Sequence, residues 1–96
     1  MKKKKELNYN YAFLFYDVNE KRVQKVFKIC KKYLFHIQNS VFEGELSEPQ
    51  IMQLKGELSK HIRQDQDSLI IFKSRDKKWM QKEFWGKTDD ATSMFL

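Results

Sequence analysis

Asp17 closes the aromatic, apolar run Tyr9-Asn10-Tyr11-Ala12-Phe13-Leu14-Phe15-Tyr16 and is followed at once by Val18-Asn19-Glu20-Lys21-Arg22. The pattern is a buried strand ending in a carboxylate, beside a helix with a cationic outer face. A divalent metal and a phosphate could meet at such a point. The other duty open to Asp17 is to cap the strand-to-helix turn. Magnesium is commonly held by one or two carboxylates with waters and phosphate oxygens. One Asp per chain is sparse for that, but a two-fold axis near the strand end would bring two copies of Asp17 together. Two such carboxylates repel and share protons, and a divalent cation between them relieves the repulsion. A metal so held can position a water and polarise a phosphodiester. Glu43 and Glu45 share one side of their strand and are either further carboxylates for such a site or solvent-facing acids.

The cations are unevenly spread. The formal net charge is +6, with a basic start at Lys2 to Lys5. Lys21, Arg22, Lys25, Lys28, Lys31 and Lys32 crowd one helix in which Glu20 is the only acid, and Arg75, Lys77 and Lys78 form a second cluster. Such asymmetry points to a polyanion, with nucleic acid the first choice; a solvated helix face is the alternative. Lys21, Arg22, Lys25, Lys28, Arg75, Lys77 and Lys78 are the candidate phosphate contacts. Arg22 leads them because it follows the strand tip closely.

Other familiar chemistries find little support. Gly44, Gly56 and Gly86 are too scattered for a glycine-rich phosphate loop. One cysteine and two histidines are too few and too dispersed for a zinc site. His36 and His61 read as structural, His61 lying where it could also serve a helix C-terminus electrostatically. Ser40 has no evident His and Asp pairing for a triad. Cys30 lies in an apolar helical stripe and reads as an inert core thiol. A single cysteine allows no intrachain disulfide, which suits a reducing cytosol. The basic start and apolar run have the outline of a signal peptide, but the run stops at Asp17 and lacks a small-residue cleavage site. No stretch approaches the roughly 20 apolar residues of a membrane helix. The expectation is a cytoplasmic protein without a membrane partner.

The elements that must position these residues are short and alternate in type. The 96 residues make one domain, and 15% of them are Phe, Tyr or Trp, ample for a core. A chain this short often completes its core with a second copy. A strand is expected over Tyr9 to Val18 and a helix from about Glu20 to Leu34. Val23, Val26, Phe27, Cys30 and Leu34 form the helix's inner face, and Lys21, Lys25, Lys28 and Lys32 point away. His36 to Leu46 alternates, either as one bent strand or as a tight strand pair, with Asn39-Ser40 as the bend and Gly44 as a bulge. Ser47-Glu48-Pro49-Gln50 fits a capping box, and Ile51, Leu54, Leu58 and Ile62 form the buried face of a second helix. Asp65-Gln66-Asp67 reads as a polar turn before a fully buried strand, Ser68 to Phe72. Lys82 to Trp85 reads as a further strand. Met94-Phe95-Leu96 is either a frayed tail or an anchor on a partner subunit. The chain divides into a basic tail (1–8), a domain (9–87) and a C-terminal tail (88–96).

This order fits an α+β, ferredoxin-like (split βαβ) fold: one antiparallel sheet with two helices on one face. The other face needs a cover, which a symmetric partner would supply.

Three segments carry a resemblance. They are Phe15-Tyr16-Asp17-Val18 with Lys21-Arg22, then Gln38-Asn39-Ser40-Val41-Phe42-Glu43-Gly44-Glu45-Leu46, then Asp67-Ser68-Leu69-Ile70-Ile71-Phe72. Their combination at this chain length resembles the small CRISPR-associated adaptation protein, the Cas-two family, over about residues 9 to 87. The resemblance implies a ferredoxin-like fold and a homodimer in which the last strand, here Lys82 to Gly86, crosses onto the partner's sheet. It implies that Asp17 binds a divalent cation, Mg2+ or another, at the dimer interface. Some members of that family are described as metal-dependent endoribonucleases or deoxyribonucleases. Others bridge two dimers of the CRISPR integrase (Cas-one) without catalysis, in capturing foreign DNA as new spacers. Whether this chain is an enzyme, and whether it prefers DNA duplex or RNA, is left open. Many members have a glycine after the first helix where this chain has Tyr33-Leu34-Phe35, which implies a different helix exit within the same fold.

The alternative class is an RRM-type single-stranded RNA-binding domain. Tyr11, Phe13 and Phe15 share one side of the first strand, as stacking aromatics would. The third-strand RRM signature is missing, and Leu69 to Phe72 offers no equivalent. Those aromatics are then expected in the core or a dimer interface.

Overall fold

Period-two alternation in the first aromatic run sends Ala12, Leu14 and Tyr16 to one side and Phe13 and Phe15 to the other, and this strand, β1 (Tyr11–Asp17), becomes a centre of the sheet. The computed structural model describes residues 10–79, 81–83, 85 and 86. The basic start and Tyr9, Met80, Phe84 and residues 87–96, including Met94-Phe95-Leu96, lie outside the described residues.

After β1 come α1 (Glu20–Tyr33), β2 (Phe35–Gln38), β3 (Val41–Glu45), α2 (Glu48–Ser59), β4 (Ser68–Ser74) and a short 3-10 turn at Lys77–Trp79. The sheet order is β2-β3-β1-β4, and every pairing is antiparallel. With two helices, this is the expected ferredoxin-like α+β arrangement.

His36 to Leu46 resolves into a hairpin. Asn39 takes φ 47, a conformation Asn tolerates better than most residues, and turns the chain between β2 and β3. The register irregularity falls between His36 and Gln38, so the bulge expected at Gly44 is corrected. Gly44 pairs regularly with Ala12; a Cβ there would meet Leu34 Cδ2 at 3.3 Å. Its missing side chain lets Leu34 approach the sheet.

Asn19 caps α1 by accepting from the Lys21 amide, 2.9 Å. Val26, Ile29 and Cys30 are buried, and Val23 and Phe27 pack beside them. The helix exits through Leu34 in an extended conformation, φ −133, and enters β2 directly, so no left-handed glycine is needed. The capping box of α2 forms as expected: Ser47 Oγ accepts from the Gln50 amide, and Gln50 Oε1 accepts from the Ser47 amide. Ile51, Leu54 and Leu58 then pack with Leu14, Phe42 and Leu46 in one core.

Cys30 is fully buried there, and burial pushes its thiol up to about 12. Only the thiolate attacks alkylating reagents, so Cys30 is expected to resist iodoacetamide in the folded protein and to react once denaturant is added. Rapid alkylation without denaturant would contradict this packing.

The face of the sheet away from the helices is less covered. Phe15, Ile70 and Phe72 lie on it at 37–53% exposure, and Phe15 contacts Phe13 and Phe72 edge-on. The expectation of a fully buried fourth strand is therefore corrected: Leu69 and Ile71 pack on the core while Ile70 and Phe72 face outward. Residues 81–83 cross part of this face without strand pairing. The strand expected over Lys82 to Gly86 is not formed within one chain among the described residues.

Candidate functional site

The β1–α1 corner is built around an acid that is not Asp17. Asp67, at the entry to β4, has a side chain closed off from solvent. Its Oδ1 accepts from the Asn19 amide (2.9 Å) and Arg22 Nη2 (2.9 Å), and its Oδ2 accepts from Arg22 Nε (2.8 Å) and the Arg63 amide (2.8 Å). Arg22 Nη2 also donates to Gln66 Oε1 at 3.0 Å. The bidentate Arg22 bond, aided by both backbone amides and opposed by burial, holds the Asp67 carboxyl well below the usual carboxylate range. This four-bond bracket ties the start of α1 to the loop before β4.

Asp17 stands on that bracket. It ends β1, pairs with Ser68 across the ladder and is exposed, with no hydrogen-bond partner for its carboxylate among the described residues. It offers one hard oxygen donor group at a rigid strand tip. Among the described residues no group of three His, Cys, Asp or Glu side chains converges on a metal position. Asp17 by itself thus supplies one carboxylate and not a complete divalent-cation site.

Glu43 and Glu45 do not join it. Glu43 pairs with Phe13 across the ladder, four positions before Asp17. Its side chain is buried and accepts from the Tyr11 hydroxyl and from Lys82 Nζ, the latter at 2.8 Å. Burial first, then this hydrogen bond and the charges of Glu43 and Glu45, push the Tyr11 phenol far up, so it remains a donor. Glu43 therefore anchors residues 81–83 to the open sheet face. Neither role expected of it from the sequence, metal ligand or solvent-facing acid, holds.

The two cationic clusters also separate. Tyr11 pairs with Ser74 and Asp17 with Ser68, so Arg75 follows the far end of β4. At about 3.3 Å per residue, Arg75, Lys77 and Lys78 begin roughly 20 Å from Asp17 along the sheet. Lys21, Lys25 and Lys28 are exposed along α1, which starts beside Asp17. Lys32 belongs to the same stripe but, with Tyr33, donates to Glu57 and ties α1 to α2. Arg22, expected to lead the phosphate contacts, has its Nε and Nη2 committed to Asp67 and Gln66, so its first role is to brace the corner.

His36 and His61 occupy structural positions. His36 packs against Phe27 and Phe42, with its Nε2 2.8 Å from the Asn39 carbonyl, and His61 follows the Lys60 cap of α2. No described helix is long and apolar enough to cross a membrane.

A family model for the CRISPR associated protein Cas2 matches residues 10–82, from the start of β1 through Lys82. The chain belongs to the CRISPR-associated Cas2 family. A "CRISPR-associated endoribonuclease Cas2" of Fusobacterium nucleatum subsp. nucleatum is 54% identical over 91 residues, covering 90% of this chain and 86% of that one. A crystal structure of Cas2 superposes with a TM-score of 0.79 at 39% identity, covering 85% of this chain and 92% of the other. The Streptococcus pyogenes Cas2 structure gives 0.71 at 28% identity, over 79% and 99%. The Cas2 match takes in Asp17, the α1 lysines, the Asp67 bracket and the Glu43–Lys82 pair together.

Proposed function

We propose that this Cas2-family chain serves CRISPR spacer acquisition as a homodimeric nucleic-acid-binding subunit that bridges integrase dimers and holds prespacer DNA. The family match across residues 10–82 carries this reading, because it spans both the Asp17 strand tip and the lysine stripe of α1. Dimerisation through the open sheet face would cover Phe15, Ile70 and Phe72, apolar area that a single chain leaves in water. An RRM-type binder would instead stack those aromatics on bases as a monomer; the Cas2 match favours the interface role.

Lys21, Lys25 and Lys28 would contact phosphates, with Arg75, Lys77 and Lys78 as a second, distant set. Such contacts are independent of sequence and sensitive to salt: the slope of log K against log salt is about −0.9 per phosphate neutralised on duplex DNA. Replacing Lys21, Lys25 and Lys28 by Gln is expected to flatten the measured slope by about 0.9 for each phosphate no longer neutralised. A slope unchanged in the triple variant would remove α1 from the interface.

A metal-dependent endonuclease activity is the finer part of the proposal. Two Asp17 carboxylates across the dimer axis would hold Mg2+ or another divalent cation, which when bound supplies charge stabilisation for phosphodiester hydrolysis. The protein's own contribution is to fix Asp17 on a strand end locked by the Asp67 bracket.

A further inference from the structure

A cleft of about 600 Å³ opens between α1 and the β2–β3 turn, on the helix side of the sheet near the end of β1. Its volume falls in the range of ligand pockets, roughly 300–1,000 Å³. Val23 and the Phe27 ring give it an apolar wall. The Phe27 ring is held by edge contacts with His36 and Phe42, at 4.9 and 5.5 Å between centroids. Tyr16 lies at the base, its backbone amide donating to the Ser40 carbonyl at 3.1 Å. Gln24, Asn39 and Ser40 add amide and hydroxyl groups that can both donate and accept. Lys28 and Lys31 stand at the rim, with Lys31 Nζ 5.7 Å from the Phe27 centroid.

A fixed aromatic wall, edge-reading amides and two cations suit a flat heteroaromatic group attached to phosphate. A lipid chain would not use the amides, and a free anion would not use the apolar wall. Lys28 also belongs to the exposed lysine stripe of α1, so a nucleic acid lying along that stripe passes the mouth of the cleft.

We infer that this cleft receives one unpaired base at a single-stranded end of a bound nucleic acid, with its phosphate against Lys28 and Lys31. The inference rests on the nucleic-acid-binding reading above and adds to it a site for unpaired ends. Base–aromatic contacts contribute enough to raise affinity on the order of tenfold.

The test measures fluorescence anisotropy with a blunt DNA duplex and with the same duplex carrying short thymidine overhangs. The overhung duplex is expected to bind about tenfold tighter. Gln24 is exposed and lies outside the phosphate contacts, so Gln24→Trp fills the cleft without altering charge. That variant is expected to bind both duplexes equally, at the wild-type affinity for the blunt one. Asn39→Gly preserves the positive φ while removing an amide, and is expected to lower the overhang advantage several-fold. Equal wild-type binding of the two duplexes overturns the site while leaving nucleic-acid binding intact. An overhang advantage that survives in both variants also overturns it. Binding of neither duplex overturns the site and the reading on which it rests.

Discussion

Replacing Asp67 by Ala is expected to lower the unfolding temperature by roughly 10 °C or more, the scale of losing a buried polar network in a domain this size. The substitution strips the Asn19 and Arg63 amides and the Arg22 guanidinium of their acceptor at one stroke. An unpaired charge and two unsatisfied amides then remain at the α1 corner, and each costs more than the bond it made contributed. Asp65→Ala, on an exposed neighbour bonded to Arg63 at 3.5 Å, is expected to change the unfolding temperature little.

The same bracket sets a pH dependence. The folded Asp67 carboxyl sits below its ordinary value, so near that value the unfolded chain binds more protons than the folded one. Its contribution is complete above the ordinary carboxylate pKa of about 4 and is lost as pH falls below that toward the depressed folded value. Wild type and Asp67→Asn should therefore differ most near neutrality and converge in acid. A gap that stays constant between pH 7 and pH 2 would show that the charge on Asp67 does not stabilise the corner.

Asp17→Ala is expected to reduce divalent-dependent cleavage to background while leaving the unfolding temperature and duplex binding unchanged. The contrast with Asp67 follows from position: the Asp17 side chain is exposed and its carboxylate makes no hydrogen bond among the described residues, so its removal leaves nothing buried and unpaired. Cleavage assays with and without chelator, beside a thermal melt, check both halves. Equal cleavage by wild type and variant, or cleavage indifferent to chelator, would assign the activity to something other than Asp17.

Much of the scaffold is legible in the sequence because its signals are local. The capping box at Ser47 and Gln50 lies within four residues, and the inner face of α1 repeats at helical spacing. The hairpin is harder to read, because an alternating run fits a bent strand equally well until Asn39 adopts a positive φ. Ser68 to Phe72 reads as fully buried because a short apolar run does not reveal which sheet face lacks helices.

The site is less legible. Asp67 lies 45 residues from Arg22 and reads locally as part of a polar turn. Only the fold brings the two together, and doing so gives Arg22 a bracing role that its sequence position does not announce. Glu43 is a similar case: its partners Tyr11 and Lys82 stand 32 and 39 residues away. A cue is present, since an acid amid the apolar residues of β3 requires a partner if it is buried. Asp17 stands out because a carboxylate at the tip of an aromatic strand breaks a simple pattern.

The decisive measurement mixes this protein with the integrase of its CRISPR system and follows spacer insertion into a repeat-bearing DNA. Wild type is expected to support insertion, Asp17→Ala to support it equally, and the Lys21, Lys25 and Lys28 triple Gln variant to lose most of it. No stimulation of insertion by the wild-type protein would contradict the role in spacer acquisition, and loss of insertion in Asp17→Ala would contradict a bridging role independent of catalysis.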